Sequence, residues 1–138
     1  MSEDFANRLE AIRSAYVEKS NARKRFTAAW SKISSETVKP TLDTARRAMN
    51  HFEVSIDLKG DGHNGLNFTV STLPLGKGGE GSQQLSYRPR LDEEVIAVTM
   101  KTNEGTSDIQ SFPLDTISVD LIECHVEDFL KRALKLRS

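Results

Sequence analysis

The chain has 138 residues, of which 37% are hydrophobic and 28% are charged, with 19 basic against 20 acidic side chains. This length fits one domain with a substantial core, and the composition is that of a folded protein. No apolar run reaches the ~20 residues that a membrane-spanning helix needs, the acidic start is unlike a signal peptide, and the lone Cys124 cannot form an internal disulfide. We therefore expect a single cytoplasmic domain over residues 1–138 that does not enter a membrane.

The net charge of −1 hides a division between the two halves of the chain. Residues 1–50 carry ten basic and six acidic side chains, whereas residues 51–138 carry nine basic and fourteen acidic ones. The basic excess is concentrated in residues 19–47, with eight basic and two acidic side chains. Such a segment predicts a surface that attracts acidic partners, among them nucleic acid and the protein's own acidic half.

Residues 3–33 are predicted to form one long helix. Apolar residues recur there with the alternating steps of four and three that mark one helix face: Phe5, Leu9, Ile12 and Tyr16, and later Phe26, Trp30 and Ile33. Lys19 and Arg23 occupy the same stripe between these two groups, which gives a heptad-like pattern with a polar gap. A helix of roughly 30 residues is about 45 Å long, more than a domain of this size needs. We expect it either to bend near Ser20 or to project and pair with another helix.

The remaining pattern predicts a second helix, a sheet and a last helix. Ser34-Ser35 is interpreted as a boundary, after which Pro40 suits the first turn of a short helix that ends near Asn50. From His51 onward apolar and polar residues alternate, which indicates strands. We expect a hairpin over residues 52–72, a strand with Leu85 and Tyr87, a central strand over residues 95–100 that is apolar on both faces, and a short strand with Ile109 and Phe112.

The C-terminal segment is typical of an amphipathic helix of about 18 residues. Its inward face is predicted to hold Val119, Ile122, Val126, Phe129 and Ala133. The predicted class is therefore α+β: a long N-terminal helix and a short second helix, an antiparallel meander of about five strands, and a C-terminal helix packed on the sheet. Residues 1–50 would form a helical arm, and residues 51–138 the sheet with its helix.

Residues suited to acid–base or metal chemistry do not form a recognisable motif. Asp57, Asp61, His63 and Asn64 could bind a hard cation or supply a base, but they lack the ligand spacing of a calcium loop. Because Asp, Asn and Gly are also what a tight turn requires, an ordinary hairpin turn is the favoured interpretation. The glycine-rich residues 76–81 lack the following helix and the Lys-Ser/Thr pair of a phosphate-binding loop, and residues 92–94 are interpreted as a solvated acidic turn.

The histidines and the cysteine likewise predict no metal site. His51, His63 and His125 lack metal-ligand spacing, and Cys124 is displaced by ~100° around the helix from His125. We interpret His125 as a packing residue at the edge of the apolar face. Cys124 is expected to be exposed and inert, since no basic neighbour in sequence stabilises a thiolate. No catalytic residue, metal or cofactor is predicted, and an enzyme is the less favoured class.

The leading functional hypothesis is a small non-catalytic protein-interaction or regulatory module, a homodimer formed through the N-terminal helix. The residues proposed for interaction are Phe5, Leu9, Ile12, Tyr16, Arg23, Lys24, Arg25, Phe26 and Trp30. A different protein partner is one alternative, and weak sequence-independent nucleic-acid binding through residues 19–47 is another. A third is a small-ligand or enzyme pocket between sheet and helices, to which Tyr87, His63 and His125 would contribute.

Overall fold

The heptad-spaced segment folds into one uninterrupted helix, α1 (Glu3–Ile33). The structure is a computed structural model that describes residues 3–50, 54–61, 65–72, 83–102, 105–134 and 136. The chain does not leave the helical conformation after α1. It continues through a π-helical stretch, Ser34–Val38, directly into α2 (Lys39–Met49).

The boundary predicted at Ser34-Ser35 is therefore a change of helix geometry and not a loop. Pro40 has no N–H with which to bond the carbonyl group four residues earlier, and its ring crowds that carbonyl. A widened helical turn accommodates such a site. Side chains support the altered turns, since Thr41 Oγ1 donates to the carbonyl of Thr37 at 2.7 Å and Ser35 Oγ donates to that of Ser31 at 3.0 Å.

Five antiparallel strands follow in the order in which they occur along the chain, as the predicted meander requires. They are β1 (Val54–Asp61), β2 (Gly65–Thr72), β3 (Gln83–Arg90), β4 (Val95–Thr102) and β5 (Gly105–Pro113). The prediction that residues 95–100 form the central strand was wrong, because β3 lies in the middle and β4 lies between β3 and β5. Ala97, on the face of β4 opposite to Ile96 and Val98, is nonetheless only 6% exposed.

One face of the sheet carries the core. The strand register aligns Leu58, Phe68, Leu85 and Met100 in one row across β1 to β4, and places Leu66, Tyr87 and Val98 in the next. The second helix lies against β1, and the third, α3 (Val119–Ala133), lies across β3 and β4 and against α2. This arrangement confirms the α+β class with the C-terminal helix on the sheet.

The third helix begins directly after an N-cap residue, Ser118. Ser118 Oγ accepts a hydrogen bond from the Leu121 backbone N–H at 3.2 Å, which satisfies one of the free amides of the first turn. Ile122, Val126, Phe129 and Ala133 are buried as predicted, and the Phe129 ring meets the Phe68 ring edge-on at 6.1 Å. The prediction for Val119 was wrong: it lies in the first turn, beyond the edge of the core, and is 48% exposed.

Several predicted features lie outside the described residues. They include His51, the turn residues His63 and Asn64, and the glycine-rich residues 76–81. Within the described ranges, none of the helices combines the length and the apolarity needed to cross a lipid bilayer.

Candidate interaction surface on the N-terminal helix

The N-terminal part of α1 extends beyond the rest of the described structure. Every side chain from Glu3 to Lys19 is exposed, whereas Phe26 and Trp30 farther along the same helix are buried. We call residues 3–19 the arm. At 1.5 Å per residue, it is about 25 Å long.

Four large apolar side chains lie along one stripe of the arm. Phe5 and Leu9 are each 44% exposed, Ile12 is 65% exposed and Tyr16 is 66% exposed. We call these four residues the seam. Single exposed apolar residues are common on protein surfaces, whereas a contiguous row of them is typical of surfaces that bind another protein, a ligand or a membrane.

The borders of the seam alternate between arginine and alanine. Arg8 and Ala15 lie on one side, and Ala6 and Arg13 lie on the other. The Arg8 guanidinium lies 5.8 Å from the centre of the Phe5 ring, and the Arg13 guanidinium lies 3.5 Å from the Glu10 carboxylate. The flanks are thus narrow and cationic, with small residues that allow a second helix to approach closely.

The polar gap in the stripe is the point at which the helix meets the sheet. Asp92, in the β3–β4 turn over residues 91–94, accepts hydrogen bonds from Nε of Arg23 at 3.0 Å and from its NH2 group. Lys19 Nζ lies 3.8 Å from the same carboxylate oxygen. Glu94, with φ of 53°, adopts the left-handed conformation that closes this turn. We call Lys19, Arg23 and Asp92 the base of the arm.

The base fixes the charge state of its carboxylate. The hydrogen bond from Arg23, and then the positive charges of Arg23 and Lys19, hold the pKa of Asp92 below its usual value of 3.8. Asp92 is therefore ionised at any pH near neutrality. The turn is solvated as predicted, and the Asp92 side chain is 65% exposed. The sequence did not predict its contact with α1. The two cations in an apolar stripe, Lys19 and Arg23, are the signal that an acidic partner lies nearby.

The interaction residues predicted beyond the base have different environments. Phe26 is 6% exposed and Trp30 is fully buried in the subunit's own core. Lys24 and Arg25 are exposed on other faces of α1. Trp30 Nε1 has no hydrogen-bond acceptor among the described residues, so the indole is held by packing alone.

The basic segment 19–47 is partly neutralised by the protein itself. The Asp43 carboxylate accepts hydrogen bonds from Nε of Arg46 at 2.9 Å and from its Nη2 at 2.7 Å. Nη2 of Arg47 lies 2.8 Å from the other oxygen of the same carboxylate. The hydrogen bond from Arg46 is the main cause that lowers the pKa of Asp43. Four of the eight basic side chains in this segment, Lys19, Arg23, Arg46 and Arg47, are thus ion-paired with Asp92 or Asp43.

Tyr87 and His125 meet in the core and not in a cleft. The Tyr87 hydroxyl lies 3.1 Å from His125 Nδ1, and the Phe112 ring packs on the imidazole at 5.4 Å between ring centres. Burial raises the pKa of Tyr87 and lowers that of His125, so the hydroxyl can donate to Nδ1 of a neutral imidazole. His125 is 7% exposed, deeper than the edge position predicted for it.

A shallow groove of about 350 Å³ opens between α2 and α3. Its walls are mainly methyl groups of alanine, valine and threonine, with Glu123 and Glu127 at one side. Neither Tyr87 nor His125 lines it, so this groove does not bring that pair to a small ligand. Among the described residues, no group of three or more His, Cys, Asp and Glu side chains is placed to hold a metal ion, and Cys124 is exposed as predicted.

Comparison of this chain with models of protein families, with curated proteins and with solved structures found no match.

Replacing Asp92 with Asn should weaken the contact between α1 and the β3–β4 turn. The amide cannot supply the charge that holds Arg23 and Lys19, so backbone amides of residues 19–25 should exchange with solvent faster, while those of β4 keep their rates. Hydrogen exchange followed by mass spectrometry measures both regions. Glu93→Gln is the matched control in the same turn, because Glu93 makes only a 3.9 Å contact with Arg90. Equal exchange of residues 19–25 in the two variants would show that Asp92 does not anchor the helix.

The His125 environment predicts a pH dependence of stability. The folded pKa lies below the ordinary value of 6.5, so the unfolded chain binds more protons as the pH falls past that value. The contribution of His125 to stability is full above pH 6.5 and is lost as the pH falls toward the folded pKa. Urea unfolding of the wild type between pH 8 and 5 should show this decline, and His125→Gln should reduce its slope. Glu123→Gln, on the exposed face of α3, controls for a general charge effect; equal slopes in all three proteins would refute the assignment.

Proposed function

We propose that this protein is a small non-catalytic interaction module that forms a homodimer through the arm. The observation that carries the proposal is the seam, four large apolar side chains that remain 44–66% exposed on a helix that extends beyond the rest of the described structure. Burying one such side chain completely contributes about 1.5–3 kcal/mol. A second seam offers the same apolar chemistry and the same heptad spacing.

The length of the arm also favours pairing. A helix of about 12–15 residues without tertiary contacts is marginally stable in water. The arm includes several residues that do not favour a helix strongly, among them Asn7, Ser14 and Val17. Packing against a partner would supply the stabilisation that the sheet supplies to residues 26–33.

The nucleic-acid alternative has weaker support. Half of the basic side chains in residues 19–47 are ion-paired within the subunit. The two aromatic residues of that segment, Phe26 and Trp30, are buried and cannot stack on bases. Five of the eight exposed large apolar residues in the described ranges lie in residues 5–17, outside the basic segment, which favours a protein partner.

Substituting seam residues should abolish the dimer. Sedimentation equilibrium over a range of concentrations should give the wild type a mass approaching twice that of one chain. Leu9→Gln/Ile12→Gln should remain monomeric, because glutamine preserves helix propensity but removes the apolar contact. The control is Asn7→Gln/Ser14→Gln, the same number of glutamines on the opposite face, which should still dimerise.

Two results would contradict the proposal. One is a wild-type chain that stays monomeric at every concentration. The other is a dimer that the seam substitutions leave intact while the circular dichroism of both variants remains that of the wild type. Salt-sensitive binding of single-stranded DNA that requires Lys24 and Arg25 would instead favour the nucleic-acid alternative.

A further inference from the structure

We infer that the two arms pair antiparallel, with the two-fold axis passing through the seam between Leu9 and Ile12. This inference rests on the proposed self-association and names its geometry. The occupant of each seam is the arm of a second copy.

A parallel pair is excluded by the position of the sheet. The stripe that forms the seam continues through Lys19 and Arg23, which contact Asp92, to Phe26 and Trp30, which are buried in the core. From residue 19 onward, the seam side of α1 therefore faces the rest of its own subunit: first the β3–β4 turn and then the core. A parallel partner helix that follows the seam would have to pass through this space, because helices in contact lie only about 8–10 Å apart.

An antiparallel partner avoids this collision. If Leu9 lies level with the partner's Ile12, then Phe5 lies level with the partner's Tyr16, and all seam residues are paired in four layers. In the same register, Glu3 lies level with the partner's Glu18. The tip of each arm thus ends just before the base of the other, where the exposed part of the seam also ends.

The flanking residues favour the same orientation. In a parallel in-register pair, each residue on one flank lies next to the partner residue five positions later on the other flank. Arg8 of each chain would then lie next to Arg13 of the other chain, which gives two contacts between like charges. In the antiparallel pair, each flank lies against the same flank of the partner. Arg8 then lies next to the partner's Ala15, and Arg13 lies next to the partner's Ala6. The two guanidinium pairs are separated, and the alanines provide room for the long side chains.

The charges along the arm are also complementary in this orientation. Residues 3–10 carry three carboxylates and one guanidinium, whereas residues 18–25 carry four cationic side chains and one carboxylate. In the antiparallel register, residues 3–10 lie level with the partner's residues 11–18, so each acidic tip ends beside the cluster of cations that begins at the partner's Lys19. Lys19, whose side chain is 57% exposed, is the nearest cation to the partner's Glu3 in this register. Parallel pairing would place tip against tip and base against base, which like charges oppose.

Distances between spin labels distinguish the two orientations. Asn7 and Asn21 are both exposed and lie on the face opposite to the seam. In full-length chains carrying Cys124→Ser, each is replaced separately with Cys, labelled and measured as a homodimer by pulsed electron paramagnetic resonance. Antiparallel pairing offsets the two copies of residue 7 by about 10 Å along the axis and those of residue 21 by about 30 Å, at 1.5 Å per residue.

The expected result is an Asn21 pair distance that exceeds the Asn7 pair distance by about 10 Å or more. The two pair distances could instead be equal, in a dimer that the Leu9→Gln/Ile12→Gln substitutions dissociate. That result would overturn the antiparallel geometry and leave the proposed function standing. An absence of dipolar coupling in chains that sediment as monomers would overturn both. Sedimentation of each labelled variant, compared with the unlabelled Cys124→Ser chain, verifies that labelling does not alter association.

Discussion

Nine residues spaced at heptad intervals lie along α1, from Phe5 to Ile33, and the sheet covers only those at the C-terminal end. This mismatch between the length of the helix and the size of the sheet is the constraint on which the rest of the account depends. Phe26 and Trp30 join the core because the sheet lies beside them. Phe5 to Tyr16 continue the same stripe where no sheet is present, so an identical pattern produces a core in one half and an exposed seam in the other.

The base of the arm separates these two environments. Exposed ion pairs contribute little to stability, so the pairing of Arg23 and Lys19 with Asp92 matters mainly for position. It ties the middle of α1 to the β3–β4 turn. It also gives Arg23 and Lys19, which interrupt the apolar stripe, a carboxylate with which to pair. Because the base follows directly after Tyr16, the last seam residue, it also limits how far a second helix can follow the seam. The orientation of the proposed dimer therefore follows from how the subunit folds.

The local periodicities were enough to predict the elements. Heptad-like and helical spacing identified α1 and α3, alternation identified the hairpin of β1 and β2, and a continuous apolar run identified β4. The distinction between the two halves of α1 could not be predicted, since Phe5 and Phe26 have equivalent positions in the pattern. Only the extent of the sheet decides which of them is covered. Asp92 was missed for a related reason: its contact with Arg23 spans 69 positions in the sequence, and no local pattern signals it.

The central claim is that the seam is uncovered in one subunit and covered in a pair. Amide hydrogen exchange of the wild-type chain at low and at high protein concentration tests it most directly. Residues 5–17 should exchange rapidly in the dilute protein and become protected as the concentration rises, while residues 26–33 should be protected throughout. Slow exchange of residues 5–17 in the dilute monomer would show that the subunit covers its own seam and would contradict the account.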